Sequence, residues 1–226
     1  MQGRIQNKEA IAQGTLQVTF QLNQPITFKP GQYCFITLNG IKKQFSINNS
    51  PSQSKILTIT TRLSDSDFKK TLNALPVGGE VELGPIAGMF TLPLDTNKPL
   101  VFIAGGIGIT PFMSMLQFIQ ENKINYKITL VYANRNQAST AYQDRLQALA
   151  EDLPGFKLIL TMTEDTEWAG ETRKIDSQFI KEYFPQVNDY SYMVVGPPAM
   201  VEAVENALRK AHVDQVNIKT ENFTGY

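Results

Sequence analysis

The stretch that decides the fold is LVFIAGGIGITP at residues 100–111, where an uncharged apolar run leads into closely spaced glycines and a proline. This order is typical of a buried strand, a tight loop and the first turn of a helix, with Thr110 as a capping residue and Pro111 in the first turn. Glycines let backbone N–H groups approach a ligand, and a helix N-terminus favours a pyrophosphate. A plain strand-to-helix turn has the same pattern, so the loop alone leaves both interpretations open.

Residues 97–226 alternate between strand and helix patterns. Strands are predicted at residues 100–104, 127–132, 157–162, 191–195 and 216–220. This alternation predicts an α/β domain with a doubly wound, five-stranded parallel sheet, whose first strand-to-helix loop is a common dinucleotide site. A second loop, with Gly196, Pro197 and Met200, follows the fourth strand and would face the same crevice.

Residues 1–96 have the patterns of β structure. Apolar and polar residues alternate over residues 16–22, as in a half-buried strand. Further strands are predicted at residues 33–38, 44–48, 57–62 and 80–83, and a short helix begins at Asp65 or Ser66. Asn39-Gly40 is a hairpin signal. We therefore predict two domains, an antiparallel β-barrel at 1–96 and the α/β domain at 97–226.

The composition excludes several function classes. The 226 residues carry 21 basic and 21 acidic side chains, and this zero net charge argues against a nucleic-acid partner. One cysteine and one histidine exclude a disulfide framework, a metal site built from several cysteines or histidines, and a cysteine-held iron–sulfur cluster. Residues 99–120 are uncharged, but their glycines and proline argue against a membrane span. We expect a cytoplasmic monomer without a metal.

The segment KQFSIN at residues 43–48 offers three useful groups within four residues. Lys43 supplies a cation for a phosphate, Phe45 a ring for stacking and Ser46 a hydroxyl for hydrogen bonding. A plain strand with Phe45 in the core is the alternative, and the residues alone favour it.

Seven segments together resemble the ferredoxin–NADP reductase superfamily of flavoprotein reductases, in the family's order and over nearly the whole chain. Lys43–Ser46 resembles its Arg-x-Tyr-Ser flavin motif, and Glu221–Phe223 its C-terminal Glu-x-aromatic. The other segments are residues 30–33, 66–72, 84–90, 105–111 and 196–200.

The resemblance implies FAD bound by the first domain. Lys43 and the backbone amides of the short helix hold its pyrophosphate; the helix residues concerned are Phe68, Lys69, Lys70 and Thr71. Phe45 and Phe223 pack against the two sides of the flavin, and Ser46 hydrogen-bonds near its N5 atom. Ile47, Asn48 and Thr61 complete this site, and Tyr226 is a candidate to fold over the adenine half.

The resemblance also implies a nicotinamide nucleotide in the second domain. Its pyrophosphate is held by the first glycine loop, through Gly105, Gly106, Gly108, Thr110 and Pro111. Gly196 leaves room for the nicotinamide, and Glu221 is a proton or charge partner beside it. Arg135 can reach a 2′-phosphate and Tyr142 can stack on adenine, although a solvated Arg135 and a core Tyr142 are as compatible with the sequence. Arg135, with no acidic residue next to it in the sequence, favours NADPH slightly over NADH.

The implied activity is hydride transfer from NAD(P)H to FAD, followed by electron transfer to an external acceptor. Candidate acceptors are a ferredoxin, a flavodoxin, and an oxygenase or haem component. Two alternatives stay open: a reductase of a small acceptor such as free flavin or a quinone, and a non-catalytic flavin- or nucleotide-binding module. The second alternative rests on departures from the family pattern: Lys43 replaces arginine, Phe45 replaces tyrosine, and Val195 stands where many members have cysteine.

Overall fold

The computed structural model describes residues 1–94 and 97–223. They form two compact units. The first comprises residues 1–92 together with 110–122, and the second comprises the described residues of 93–109 and 123–223. The boundary predicted between residues 96 and 97 falls at a gap in the described residues, and Tyr226 also lies outside them.

The first unit contains a six-stranded antiparallel sheet. Its strands are β1 (Gln2–Ala12), β2 (Thr15–Leu22), β3 (Tyr33–Leu38), β4 (Ile41–Ser46), β5 (Ile56–Arg62) and β6 (Glu80–Ala87), with helix α1 (Asp67–Ala74) between the last two. The strand order is β4-β3-β6-β1-β2-β5, and the outermost strands β4 and β5 also contact each other. The sheet therefore curls into a barrel-like form, and the predicted fold class of this half is confirmed.

Strand β1 was not predicted, and the strand predicted at 44–48 has different ends. Few β1 side chains are buried, so its sequence lacks the alternation that marks β2; it forms by pairing with β2 and β6. Strand β4 begins at Ile41 because Asn39 and Gly40, both with positive φ, make a tight hairpin turn. It ends at Ser46, and the Asn48 N–H instead donates to the Thr58 carbonyl at 2.9 Å.

A turn before β3 depends on Gly31. Its φ is +96°, and a Cβ atom there would lie 2.2 Å from the Phe90 carbonyl oxygen and 2.4 Å from Cε of Met115. The next residue, Gln32, accepts a hydrogen bond from the Lys29 N–H at 2.8 Å and donates one to the Gly88 carbonyl at 3.2 Å. The turn is thus fixed both by backbone conformation and by a side-chain bridge.

The second unit contains a five-stranded parallel sheet. Its strands are β7 (Leu100–Gly105), β8 (Ile128–Asn134), β9 (Phe156–Met162), β10 (Ser191–Gly196) and β11 (Ile218–Asn222). The helices that follow β7, β8, β9 and β10 in the chain are α2 (Thr110–Glu121), α3 (Gln143–Asp152), α4 (Ser177–Tyr183) and α5 (Pro198–Lys210), and α2 packs within the first unit. The order β11-β10-β7-β8-β9 is that of a doubly wound sheet, as predicted.

The strand order reverses between β7 and β10, which places the ends of these two strands at the topological switch point. The core beside them is formed by apolar residues of α4, α5 and the sheet, including Phe179, Val194 and Val201. The strand predicted at 216–220 begins at Ile218, because residues 215–217 form a 3₁₀ turn. No helix in the described part of the chain is long and apolar enough to cross a membrane.

We expect Gly31→Ala to lower the free energy of unfolding by about 3 kcal/mol, because the new methyl group meets a backbone oxygen in a conformation that L-residues disfavour. Urea unfolding measures the change. Gly14→Ala is the matched control, since Gly14 also has positive φ but has open space around it. Equal losses in the two variants would contradict the close-packing role of Gly31.

Candidate functional site

The flavin motif lies on β4 and packs against α1. Lys43 is exposed, Phe45 is half-buried and Ser46 is buried at the end of the strand. The Phe45 ring stacks on the buried Phe68 ring of α1, with 5.4 Å between centroids and 28° between planes. The structure therefore brings together the strand motif and the helix that the sequence assigned to one site.

Two lysines lie within electrostatic reach of each other at the N-terminal end of α1. Burial lowers the pKa of Lys69, and the charge of Lys43 lowers that pKa further, so the two ammonium groups repel each other. The N-cap residue, Ser66, makes no side-chain cap hydrogen bond, and the first N–H groups of a helix have no partner within it. Two cations beside a helix N-terminus suit a bound anion such as a pyrophosphate.

The neighbouring Lys70 differs from Lys69. It is exposed and forms a 3.5 Å ion pair with Asp65. Thr71 contributes its carbonyl oxygen to the end of α1, where it accepts from the Leu75 N–H. Of the two lysines in the predicted helix segment, Lys69 is thus the one that the structure places next to Lys43.

The segment after β4 is buried although it lies outside the sheet. Ile47 donates its N–H to the Gln32 carbonyl at 2.9 Å. The Asn48 side chain donates to Oγ1 of Thr60 at 2.8 Å, and the Asn49 side chain accepts from the Thr58 N–H at 2.8 Å. Side chains of α2 also form hydrogen bonds with this segment.

Thr61 is buried in β5, but it is Thr60 that contacts Asn48. Successive side chains of a strand point to opposite faces, so Thr60 and Thr61 face different sides. Thr61 is expected in the flavin site, whereas Thr60, which the sequence did not single out, is the residue that binds the Asn48 side chain.

The two glycine loops of the second unit pack directly on each other. A Cβ atom at Gly108 would lie 2.5 Å from the Val195 carbonyl oxygen and 3.0 Å from Cα of Gly196. A Cβ atom at Gly105 would lie 2.2 Å from Sδ of Met200. The contact between the loops therefore requires glycine at both positions. Glycine also allows a ligand to approach the backbone closely.

The remaining loop residues begin two helices and a 3₁₀ turn. Gly106 has φ +53° and starts the turn at residues 106–109. Thr110 and Pro111 are buried in the first turn of α2. Pro197 is the N-cap residue of α5, and the Sδ atom of Met200 lies 2.7 Å from the Cβ position at Gly196. The predicted space beside Gly196 is thus bordered by the Met200 side chain.

The side chain of Asn134, at the end of β8, was not singled out by the sequence. Asn134 is only 6% exposed, and both atoms of its side-chain amide are buried without a hydrogen-bond partner in the described structure. An unsatisfied buried amide is costly, so this amide suits a ligand that both donates and accepts.

Arg135, the next residue, is held beside Glu164. The Glu164 N–H donates to the Arg135 carbonyl at 2.9 Å, and the Glu164 carboxylate lies 3.8 Å from Nε of Arg135. Asp165 accepts from the Gln137 N–H at 3.1 Å. Acidic residues therefore do lie next to Arg135, although they follow β9 rather than β8.

Tyr142 precedes α3 with φ +62° and is 8% exposed. Its left-handed backbone is unusual for an aromatic residue. Because the ring is largely buried, it presents little surface for an adenine to stack on in this conformation. The role in adenine binding stays a prediction.

The C-terminal motif lies on β11, next to β10. Glu221 pairs with Val195 in register, and the Phe223 N–H donates to the Gly196 carbonyl at 2.9 Å. Burial raises the pKa of the Glu221 carboxyl to about 7, against the opposing effect of Lys219. Its Oε2 atom is buried and has no hydrogen-bond partner within residues 1–94 and 97–223. This carboxyl can hold or release a proton near neutral pH.

Comparison with known proteins finds similarity to oxidoreductases. Residues 102–206 match the family model of the oxidoreductase NAD-binding domain. The reductase subunit of an aromatic O-demethylase from Amycolatopsis sp. is 27% identical over 222 residues, which are 95% of this chain and 66% of that protein. The toluate 1,2-dioxygenase electron transfer component of Pseudomonas putida is 26% identical over 98% of this chain and 67% of its own length.

A solved structure matches over the full architecture. The crystal structure of a ferredoxin NADP⁺ reductase from Neisseria gonorrhoeae, with bound FAD and NADP, superposes with a TM-score of 0.83 at 20% identity and covers 98% of both chains. The first curated relatives are longer, and the chain spans between about half and two thirds of their length.

The raised pKa of Glu221 predicts a pH-dependent stability. Between the usual carboxyl pKa and about pH 7, the unfolded chain releases this proton while the folded chain keeps it, so the free energy of unfolding falls as pH rises. Glu221→Gln should remove that part of the fall, as measured by urea unfolding across this range. Exposed Glu202→Gln is the control, and a parallel pH profile in Glu221→Gln and the parent would contradict the assignment.

Proposed function

We propose that this chain is an FAD-dependent NAD(P)H reductase of the ferredoxin–NADP reductase-like flavoprotein family. The observation that carries the proposal is the Lys43–Lys69 pair at the N-terminus of α1. Two lysines of like charge beside a helix N-terminus, one of them 7% exposed, form a positively charged site that favours an anion. The pyrophosphate of FAD is negatively charged and has oxygen atoms that can accept hydrogen bonds from lysine side chains and from the N–H groups of a helix N-terminus.

FAD supplies the redox chemistry, since it accepts a hydride from the nicotinamide and passes the electrons on. The protein residues bind, orient and exclude water. We assign Phe45 to one side of the flavin, Ser46 to a hydrogen bond near N5, and Ile47 and Asn48 to the buried wall of the same site. The role of Phe223 on the other side of the flavin stays a prediction. The role of Thr61 in binding FAD stays a prediction.

We assign the nucleotide pyrophosphate to the loop of Gly105, Gly106 and Gly108 in the second unit. The part of Thr110 and Pro111, which belong to the first unit, stays a prediction. Parallel sheets bind dinucleotides at the switch point, where this loop lies. The Asn134 amide suits the polar edge of the adenosine half, since it offers both a donor and an acceptor.

Glu221 is assigned to the nicotinamide, in the loop region of Gly196, Pro197 and Met200. Protonated, its carboxyl donates a hydrogen bond. Deprotonated, it balances the positive charge that the nicotinamide gains on losing a hydride. A pKa near 7 makes both forms available at neutral pH.

The external electron acceptor is proposed to be an oxygenase or haem component. The support is that the relatives named above are a reductase subunit of an O-demethylase and an electron transfer component of a dioxygenase. The chain has one cysteine, which is too few for an iron–sulfur cluster of its own. A cytoplasmic location and a monomeric state stay predictions from the sequence.

Nucleotide choice is proposed to depend on Arg135 and Glu164. A 2′-phosphate carries more charge than a carboxylate and can replace Glu164 on Arg135. The negative charges of Glu164 and Asp165 repel the 2′-phosphate, so we expect only a small preference for NADPH over NADH. Both members of the pair are exposed, which keeps the exchange within about 1 kcal/mol.

We expect Ser46→Ala to slow flavin reduction by about tenfold to a hundredfold, because the hydrogen bond near N5 is lost; this corresponds to about 1.4 to 2.7 kcal/mol in the barrier. Anaerobic stopped-flow reduction of the FAD-loaded protein measures the rate. Exposed Ser54→Ala is the control, and a Ser46→Ala rate equal to the parent's would remove Ser46 from the site.

The nucleotide proposal predicts opposite changes in two variants. Arg135→Ala should lower kcat/KM for NADPH about fivefold and leave NADH little changed, whereas Glu164→Gln should raise kcat/KM for NADPH severalfold. Steady-state assays with both nucleotides and one artificial acceptor measure the ratios. Equal effects on kcat/KM for NADH and NADPH would show that neither residue interacts with the 2′-phosphate.

A further inference from the structure

Two polar side chains interrupt the apolar surface of α2. Ser114 is fully buried and Gln117 is 7% exposed. Three residues apart on a helix, they share one face. Ser114 Oγ donates to the Asn49 carbonyl at 2.7 Å, and Gln117 Nε2 donates to the Asn48 carbonyl at 2.8 Å. The helix thus binds two consecutive carbonyl groups of the segment that follows the flavin motif.

These carbonyl groups need partners because the segment is buried outside the sheet. A buried carbonyl that loses its hydrogen bond costs about 1 to 3 kcal/mol. Ser46 and Ile47 immediately precede the two anchored peptide groups, so their position follows from where Asn48 and Asn49 are held.

We propose that Ser114 and Gln117 are positioning residues for the flavin, acting through Asn48 and Asn49 on Ser46. The inference rests on the proposed function. Reaction rates at a bound cofactor depend on placement to within a fraction of an ångström, so a small relaxation of this segment slows hydride transfer. Neither side chain is required to contact the flavin itself.

A purely structural role makes a different prediction, because the segment is held from two sides. On the β5 side, the Asn48 and Asn49 side chains bond Thr60 and Thr58. On the α2 side, the bonds come from Ser114 and Gln117. Removing only the α2 bonds leaves the segment attached to β5, so the protein can remain folded while Ser46 shifts.

The test compares Ser114→Ala, Gln117→Met and the double variant with the parent, each loaded with FAD. Gln120→Met is the matched control, since Gln120 is an exposed glutamine of the same helix. The measurements are the flavin absorption band, the limiting rate of flavin reduction at saturating nucleotide, the apparent Kd for the nucleotide, and the melting temperature.

We expect the double variant to lose about tenfold in limiting rate and to show a shifted flavin band, while the nucleotide Kd stays within about twofold of the parent's. The control should match the parent. If the double variant does not fold, Ser114→Ala alone, which only deletes a hydroxyl, should show the same changes to a smaller degree.

An unchanged limiting rate and flavin band in the fully loaded variants would overturn the positioning role, even if the melting temperature falls. The proposed function fails separately, if the parent binds FAD but is not reduced by either nucleotide. In that event the flavin band of the variants still decides whether Ser114 and Gln117 position the flavin.

Discussion

The structure of the first unit depends on satisfying the backbone of residues 47–50, which is buried without belonging to the sheet. Asn48 and Asn49 use their own side chains to bind β5, while Ser114 and Gln117 of α2 bind their carbonyl groups. Such a network is stable only when every group has a partner. It fixes the position of the chain directly after the flavin motif on β4.

The second unit is governed by a steric constraint. Gly105 and Gly108 allow the first glycine loop to lie against Val195, Gly196 and Met200, at distances that leave no room for a Cβ atom. The glycines are needed for this contact before any ligand is considered. Because the loops meet at the switch point of the sheet, they lie where doubly wound parallel sheets commonly bind a dinucleotide.

Periodicity in the sequence was enough to predict most strands and the order of helices in the second unit, because buried alternation and apolar runs are local signals. It could not predict β1, whose side chains are mostly exposed, or the hydrogen bond between Asn48 and Thr60. The approach of Glu164 to Arg135 is tertiary, because these residues are far apart in the chain and meet through the pairing of β8 with β9. The unpaired amide of Asn134 has no sequence signature at all.

The proposed function requires that the chain bind FAD and that a nicotinamide nucleotide reduce the bound FAD. An anaerobic equilibrium titration of the FAD-loaded protein with NADPH and with NADH, which follows the visible flavin band, tests this directly. We expect the band to be bleached in proportion to added nucleotide, until one nucleotide has been consumed per FAD. A protein that holds FAD and keeps its band in excess of both nucleotides would contradict it.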